Sequence, residues 1–577
     1  MISSFLNNPL LPPLRAGDIL NRVSWQGDGL ATGGPIPVVR WSDDKAFQRT
    51  GSRQSDAPRI AQFKRLDQAA CVALLDASGD PPDELHDLIW ATCEQSHWWF
   101  SSHGHSLPID LLVAMNGMMF ALIESALGPR LDPEVRERMA REVRVRVLDP
   151  FLDPPGGKGQ WWSAQTHNWN AVCHAGVGIS AMVYEKDAVR LDAVFEKIAA
   201  DLPRFLDGFS DDGGCSEGPG YWRYGVLYFA LLAHFTRRFT NGALDFAANP
   251  KWARVATYPL AATVAPGYDL TFSDTPAAHT PLPLAAASLM RGLVGNADLF
   301  SLCEFHEGKP VAREFFDLLT LPAEWPAFDP AAWRRDARLP SLAIAKLFGA
   351  NGLALGVKAG HNNEHHNHND IGSFLLFQDG AQWFSDPGRP RYSANTFNHR
   401  RYDSVFTCSR GHNVPVVDGR FQQAGEHFRG TLEVLATGVE KRAVVEMAGA
   451  YDAPGLKRLT RVLSLSTAEP VLRVDDTFEF DGAGLPVRGV FITLMDVEQR
   501  SATEVALLHP NGKTGVLRAL SPGAFSVEVL HEESAESVCG QLLRRVSFTP
   551  EKILPAQTLS FIFTAGGRGS DEPVYNF

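Results

Sequence analysis

Fourteen residues from His361 to Phe374, HNNEHHNHNDIGSF, hold four histidines and two acids. Imidazoles carry protons near neutral pH and bind borderline metals, so this cluster is where chemistry is sought first. An extended chain over 365–371 sends His366, His368 and Asp370 to one face and His365, Asn367 and Asn369 to the other, because strand side chains alternate. The bland alternative is a solvated polar loop. A strand and a hairpin turn separate the cluster from Asp386 in SDPGRPRY, and a further segment leads to His412 in SRGHNVPVVDG. Two imidazoles and a carboxylate suit Zn²⁺, and strand ends would bring His368, Asp386 and His412 together around one divalent metal.

A second group, QTHNWNAVCHAG from Gln165 to Gly176, opens a helical stretch. His167, Ala171 and His174 share one helix face there, with Asn168 at its edge. Capping by Thr166 or Asn168, together with a packed histidine, is the competing explanation. In SEGPGYWRYGVLY, Tyr221, Tyr224 and Tyr228 recur at helical spacing, a stripe that normally packs a core. Tyr221 stands apart because it begins the helix beside a glycine-rich break, where a phenol can reach a cleft. From Arg389 to Arg410, five arginines (Arg389, Arg391, Arg400, Arg401, Arg410) face one acid, Asp403. Guanidinium forks bind carboxylates and sulfates, so this island suits an anionic substrate, unless it is ordinary surface charge. Trp98, Trp99, Trp161, Trp162, Trp169 and Trp222 gather around the same breaks; flat rings suit sugar faces, although core packing is commoner.

The elements that must position these residues change character along the chain. From about 57 to 335 the apolar residues recur at helical spacing, as in IDLLVAMNGMMFALIESALG, with Pro/Gly/Asp-rich breaks at 149–159 and 210–220. Beyond about 340 the pattern becomes short alternating runs such as GTLEVLATGV and VLRVDDTFEF. Helices first and strands afterwards imply separate layers or domains rather than a βαβ sheet.

The 577 residues carry 54 Lys plus Arg against 66 Asp plus Glu, a net charge of −12, and 45% are hydrophobic. These values describe a globular chain without the basic footprint of a nucleic-acid binder. No uninterrupted apolar stretch reads as a membrane span, so no membrane partner is expected. The N-terminus lacks the basic start of a secretory signal, which leaves a cytoplasmic location, or a periplasmic or secreted one if a leader has been trimmed. Seven scattered cysteines, never in CxxC spacing, argue against a disulfide framework and read as buried thiols.

At HNHNDIGSF, DPG, RY and GHNVPVVDG the chain resembles the C-terminal β domain of the heparinase II/III-like polysaccharide lyases, a superfamily of uronate-specific enzymes. CEQSHWWFSSHG, IDLLVAM, QTHNWNAV and EGPGYWRYG are similar to the toroid motifs of that superfamily, in the same order, so the resemblance spans about 85–430 by motif. It implies an α+β multidomain chain: an N-terminal extension over 1–55, an (α/α) toroid over 56–337 and an antiparallel β-sandwich over 338–577, with the cleft between the last two.

Carried over by position, the resemblance implies Tyr221, His167 with Asn168 beside it, and His366 as catalytic residues. It implies His368, Asp386 and His412 as metal ligands. Where relatives carry His-Gly-His, this chain has His366-Asn367-His368. Around the cleft, Trp162, Gln165, Trp222, Tyr224, Arg400, Arg401 and Tyr402 are expected to bind substrate. The implied reaction is β-elimination on a uronate polysaccharide or oligosaccharide, either a glycosaminoglycan (heparin, heparan sulfate, chondroitin, hyaluronan) or alginate. Tyr221 would protonate the leaving oxygen and share the base role with His167, while His366 and Asn168 polarise the carboxylate. His167 itself is read either as base or as carboxylate neutraliser. The metal, zinc by its ligand types, is expected to be structural and to hold the loop bearing His366. Two other readings stay open: a toroid glycoside hydrolase using Asp211, Asp212 and Glu217, or a non-catalytic protein that binds acidic glycan. A homo-oligomer is compatible with all three.

Overall fold

The computed structural model describes residues 1–27, 33–76, 81–104, 108–157 and 159–566. Its first half is mostly helical and its second half antiparallel β. Leu111–Leu127, Asn168–Tyr184, Pro219–Phe239 and Leu284–Val294 pack in succession. The first two are buried almost all round, as inner helices of a closed ring must be. Their close approach depends on Gly176, where a Cβ would stand 2.3 Å from the Ala114 carbonyl oxygen. The N-terminal segment lies against this ring. Ser3 bonds Asp192, Asn8 bonds the Phe239 carbonyl at 2.7 Å, and Ser24–Trp25 pairs in parallel with Val311 and Ala312.

One helix departs from the sequence expectation. Leu111–Arg130 is long and apolar enough to cross a membrane, with a mean hydropathy of 1.6, although 78% of that window is buried inside the protein. Its apolar character serves the core of the ring. None of the seven cysteines is paired, and five are buried.

In the second half a nine-stranded sheet runs from Asp496–Gln499 at one edge, through Leu456–Ser466 and Glu440–Glu446, to Gly360–Asn362 at the other. A five-stranded sheet over residues 337–384 and a four-stranded sheet containing Val487–Thr493 and Leu543–Pro550 complete the region. Rings from all three sheets meet in one core: Phe384 lies 5.0 Å from Phe563 and 5.4 Å from Phe491, which lies 4.9 Å from Phe561. Inside it, the fully buried Arg461 and Asp476 form a two-pronged ion pair at 2.7 Å. The spare nitrogen of Arg461 donates to the carbonyls of Gly372 and Asn413, which fixes the turns on either side of His368 and His412.

The halves are sewn together by buried polar contacts. Lys346 donates to the carbonyls of Thr263 and Trp333 at 2.7 Å, satisfying an amino group with no access to water. Thr271 donates to the Asp386 carbonyl, and the Arg389 amide to the Thr275 carbonyl. The segment around 270–275 of the helical half therefore reaches into the histidine-rich turns of the β half.

Candidate functional site: a cleft wall built on Asp274

Two helix starts supply one wall of a cavity of about 590 Å³. His167 is the N-cap of Asn168–Tyr184, where its Nδ1 accepts a long bond from the Trp169 amide at 3.4 Å. Asn168 follows as the first helical residue, and both line the cavity. Burial, with the imidazoles of His365 and His366 close by, lowers the His167 pKa to about 4, so its ring is neutral at pH 7. Pro219–Phe239 begins with proline at its first turn, which aims Tyr221 into the same cavity.

The opposite wall comes from the β half. Residues 365–371 form no strand: His366 takes a left-handed backbone (φ 58°), within a turn. The expected separation of alternating faces is therefore replaced by convergence on one carboxylate, Asp274. His366 Nδ1 lies 2.5 Å from Asp274 Oδ2, and His368 Nε2 lies 3.0 Å from Oδ1. Arg401 donates to Oδ1 at 2.9 Å and the Tyr392 hydroxyl to Oδ2 at 3.0 Å. Burial alone would raise the Asp274 pKa, but the bonds from His366 and His368 and the charge of Arg401 hold it well below the usual carboxylate range. Because Tyr392 donates to Asp274, its oxygen is left to accept from Tyr221, 2.8 Å away. The Tyr221 ring stacks on His366 with centroids 4.2 Å apart. Burial pushes the Tyr221 phenol up, so it stays protonated.

Asp370, expected beside the two histidines, is fully buried and paired with Lys358 at 2.7 Å. His174 is a packed histidine, bonded through Nδ1 to Asn170 and fully buried.

His368, Asp386 and His412 each offer a ligand atom, all within 4.8 Å of one another, and all three are sealed from solvent. With Nε2 engaged by Asp274, the buried Nδ1 of His368 has no hydrogen-bond partner. An orphaned imidazole nitrogen beside a carboxylate and a second imidazole fits the donor set of a borderline metal, so this group can hold one.

The expected substrate-binding residues divide. Gln165 and Tyr224 line the cavity. Trp162 and Trp222 do not: both are fully buried, and their indole N–H groups donate to the carbonyls of Ile109 and Val255. These rings serve the core, whereas Trp161 and Trp169 line the cavity. Trp98 is likewise buried, and Trp99 stacks on His97.

The cationic island dissolves in the same way. Arg400 pairs with Asp403 on the surface, Arg410 with Glu528 and Glu533, and Arg391 bonds the Ser537 carbonyl. Arg401 is committed to Asp274, and Tyr402 accepts from Asn367. Only Arg389 of the five lines the cavity, with Arg53 from the helical half. Of the hydrolase candidates, Asp211 is exposed and Asp212 is tied to Ser210 and to the amides of Gly214 and Ser341. Glu217 alone reaches the cavity, 3.8 Å from His366 Nε2, with its pKa raised by burial.

Sequence reasoning misses Asp274 and Tyr392 as site residues. Asp274 sits alone in LTFSDTP, with no spacing to a partner, and only the docking of the two halves brings it to the histidines. Tyr392 ends the SDPGRPRY segment, where nothing in the spacing marks it as a partner of Tyr221.

Residues 337–538 match the family described as Heparinase II/III-like, C-terminal. No curated protein matches the chain in sequence. Among solved structures, the fold is similar to a heparinase III at a TM-score of 0.61 and 14% identity, covering 90% of this chain and 78% of that one. A heparinase III gene product gives 0.58 at 12% identity, covering 95% and 88%. A mutant of heparan sulfate lyase HepC from Pedobacter heparinus gives 0.52 at 12%, covering 92% and 77%. At these identities the likeness shows the fold alone, a helical toroid followed by antiparallel β-sheets, over nearly the whole chain.

Proposed function

We propose that the protein is a polysaccharide lyase that cleaves a uronate-containing anionic glycan by β-elimination. The observation that carries this reading is a contact across the cleft: the His366 imidazole, held by Asp274, lies against the protonated phenol of Tyr221, and the helical wall that carries Tyr221 also supplies neutral hydrogen-bond donors. The proton at C5 of a uronate is weakly acidic, so elimination needs a neutralised carboxylate, a base at C5 and an acid at O4.

The hydrogen-bond partners support a division of labour that differs from the one the resemblance implies. His366 binds Asp274 through Nδ1, which leaves Nε2 toward the cavity as proton acceptor, the arrangement by which a carboxylate orients a catalytic imidazole. His167 accepts from a backbone amide at Nδ1, so its neutral ring offers Nε2–H as a donor. With the Asn168 amide, it neutralises the substrate carboxylate. His366 then takes the C5 proton, the electron pair forms the C4=C5 double bond, and the C4–O4 bond breaks. O4 leaves with the proton of Tyr221, whose hydroxyl turns from the Tyr392 oxygen to the leaving oxygen.

His368, Asp386 and His412 would hold one divalent metal, for which zinc fits the donor set. Bound there, it would supply a structural clamp on the turn that carries His366 rather than a Lewis acid for substrate. Arg53 and Arg389, the cavity arginines, suit a glycan bearing carboxylates or sulfates.

The test is a panel of heparin, heparan sulfate, chondroitin sulfate, hyaluronan and alginate, followed by ultraviolet absorbance of a 4,5-unsaturated uronate alongside total reducing ends. Absorbance that rises in step with reducing ends on one of them is the expected result. Reducing ends without absorbance would overturn the elimination chemistry.

A further inference from the structure

His366 stands between two carboxyl groups, one beside each ring nitrogen. Asp274 lies 2.5 Å from Nδ1, and Glu217 Oε1 lies 3.8 Å from Nε2. The two acids are housed in opposite ways. Asp274 is met by His366, His368, Arg401 and Tyr392. The Glu217 carboxyl forms no hydrogen bond among the described residues, and its one ion-pair contact there is His366. Its side chain is nevertheless only 12% exposed, and it lines the cavity. The backbone holds it in place. Gly218 (φ 93°) precedes the helix that carries Tyr221, and a Cβ there would stand 2.3 Å from Thr275 Oγ1. Ser273 Oγ donates to the Ser216 carbonyl at 3.1 Å. Residues 216–218 are therefore wedged against the turn that carries Asp274, which sets Glu217 beside His366.

The surroundings decide the state of this carboxyl. It faces His365 and His366 of the β half, Asp274 on the adjoining turn, Tyr221 on the helix that follows and Cys215 in its own loop. Burial raises its pKa; the imidazoles of His366 and His365 pull the other way, and the charge of Asp274 adds to the rise. An ionised Glu217 would spoil the site twice. With a carboxylate at each nitrogen, His366 would be held as imidazolium and could take no proton, and a uronate would be repelled. A neutral Glu217 carries an O–H for which no group among the described residues is an acceptor.

Resting on the lyase reading, we propose that Glu217 is a further catalytic residue, a carboxylic acid that donates its O–H to the substrate carboxylate. That carboxylate is borne by C5, the carbon whose proton His366 takes, so an acid beside Nε2 lies beside it. As Nε2 removes the C5 proton, the C–H electron pair moves into the bond between C5 and the carboxylate carbon, and charge gathers on the carboxylate oxygens. The bond from Glu217 strengthens at this point, which is where a donor accelerates the reaction. The pair then forms C4=C5 as the C4–O4 bond breaks, and Glu217 keeps its proton throughout. His167 and Asn168 donate to the same carboxylate from the neighbouring helix start. A carboxylic acid kept neutral by its surroundings is one means by which enzymes hold an enolate.

Glu217→Gln tests this, because an amide of the same shape still donates but cannot ionise. On the polymer that gives absorbance, its kcat is expected to fall about tenfold and its KM to change less than about twofold, with thermal stability kept. Glu217→Ala, which removes the donor, is expected to lose about 100-fold in kcat. The pH profile supplies a readout that needs no variant. Because the acid form is the active one, kcat of the unmodified protein should decline as pH rises and Glu217 ionises, and Glu217→Gln should lack that decline. A flat alkaline side in the unmodified protein, a decline that persists in Glu217→Gln, or a kcat unchanged by the substitution would overturn the role of Glu217 and leave the lyase reading standing. Absence of absorbance on every polymer would overturn the lyase reading and this role with it.

Discussion

Two walls face each other across one cleft, and they are built differently. On the helical side, His167, Asn168 and Tyr221 occupy the first positions of long helices, where ring packing fixes the axis and a cap or proline fixes the start. On the β side, His366 and His368 lie in an irregular turn whose shape is imposed from outside by Asp274, Arg401, Arg461 and the residues around Asp386 and His412. The first wall is local in sequence. The second exists only when the halves have docked, because Asp274 is 92 residues from His366. A single substitution should therefore act on the helical wall through chemistry and on the β wall through geometry.

The largest effect separates these two directly. Tyr221→Phe removes the acid and keeps the ring stacked on His366, so turnover is expected to fall by about 10²- to 10⁴-fold with the melting temperature unchanged, as read by absorbance and calorimetry. On the other wall, Asp274→Asn keeps the shape but gives His366 and His368 an amide in place of a carboxylate. A loss of about 10- to 100-fold in kcat with little change in KM is expected, along with weaker metal retention measured by elemental analysis. An unchanged kcat would show that the β wall does not depend on its hub.

Chelation sharpens the comparison further. If His368, Asp386 and His412 hold a structural metal, chelation is expected to lower the transition for the β half by about 5 to 10 °C, with recovery on adding zinc. No shift on chelation would contradict a structural metal at His368, Asp386 and His412.

How much of this is legible in the sequence follows the same divide. The helix starts are readable because glycine-rich breaks, a proline and capping residues mark them one after another, and the change from helical spacing to alternation locates the two halves. The His368, Asp386 and His412 group is readable from residue type. The turn at 365–371 escapes because alternation assumes a strand, and a positive φ at His366 follows from tertiary contacts rather than from local preference. Trp162, Trp222, Arg400 and Tyr402 mislead because composition near a site does not say which way a side chain points.

His174 contributes acid sensitivity on the helical side. Burial lowers the His174 pKa from 6.5 to about 4, so between these values the unfolded chain binds a proton that the folded one does not. Stability is then fully present above pH 6.5 and falls as pH drops to about 4, by at most about 3 kcal/mol from this residue. Denaturant titrations across that window should show the slope, and His174→Gln should flatten it by about one proton. The smallest effect distinguishes cavity from surface arginines: Arg389→Ala is expected to raise KM about tenfold, and Arg400→Ala, whose partner is the exposed Asp403, to change it less than about twofold.

The central claim is that the bond breaks by elimination, and the earliest products made in oxygen-18 water test it most directly. Mass spectrometry should find unsaturated fragments, each lighter by one water than its saturated counterpart, with no heavy oxygen at the newly formed reducing end. Saturated fragments carrying oxygen-18 at that end would mean hydrolysis and would contradict Tyr221 as the acid, His366 as the base and His167 as the carboxylate neutraliser of an elimination.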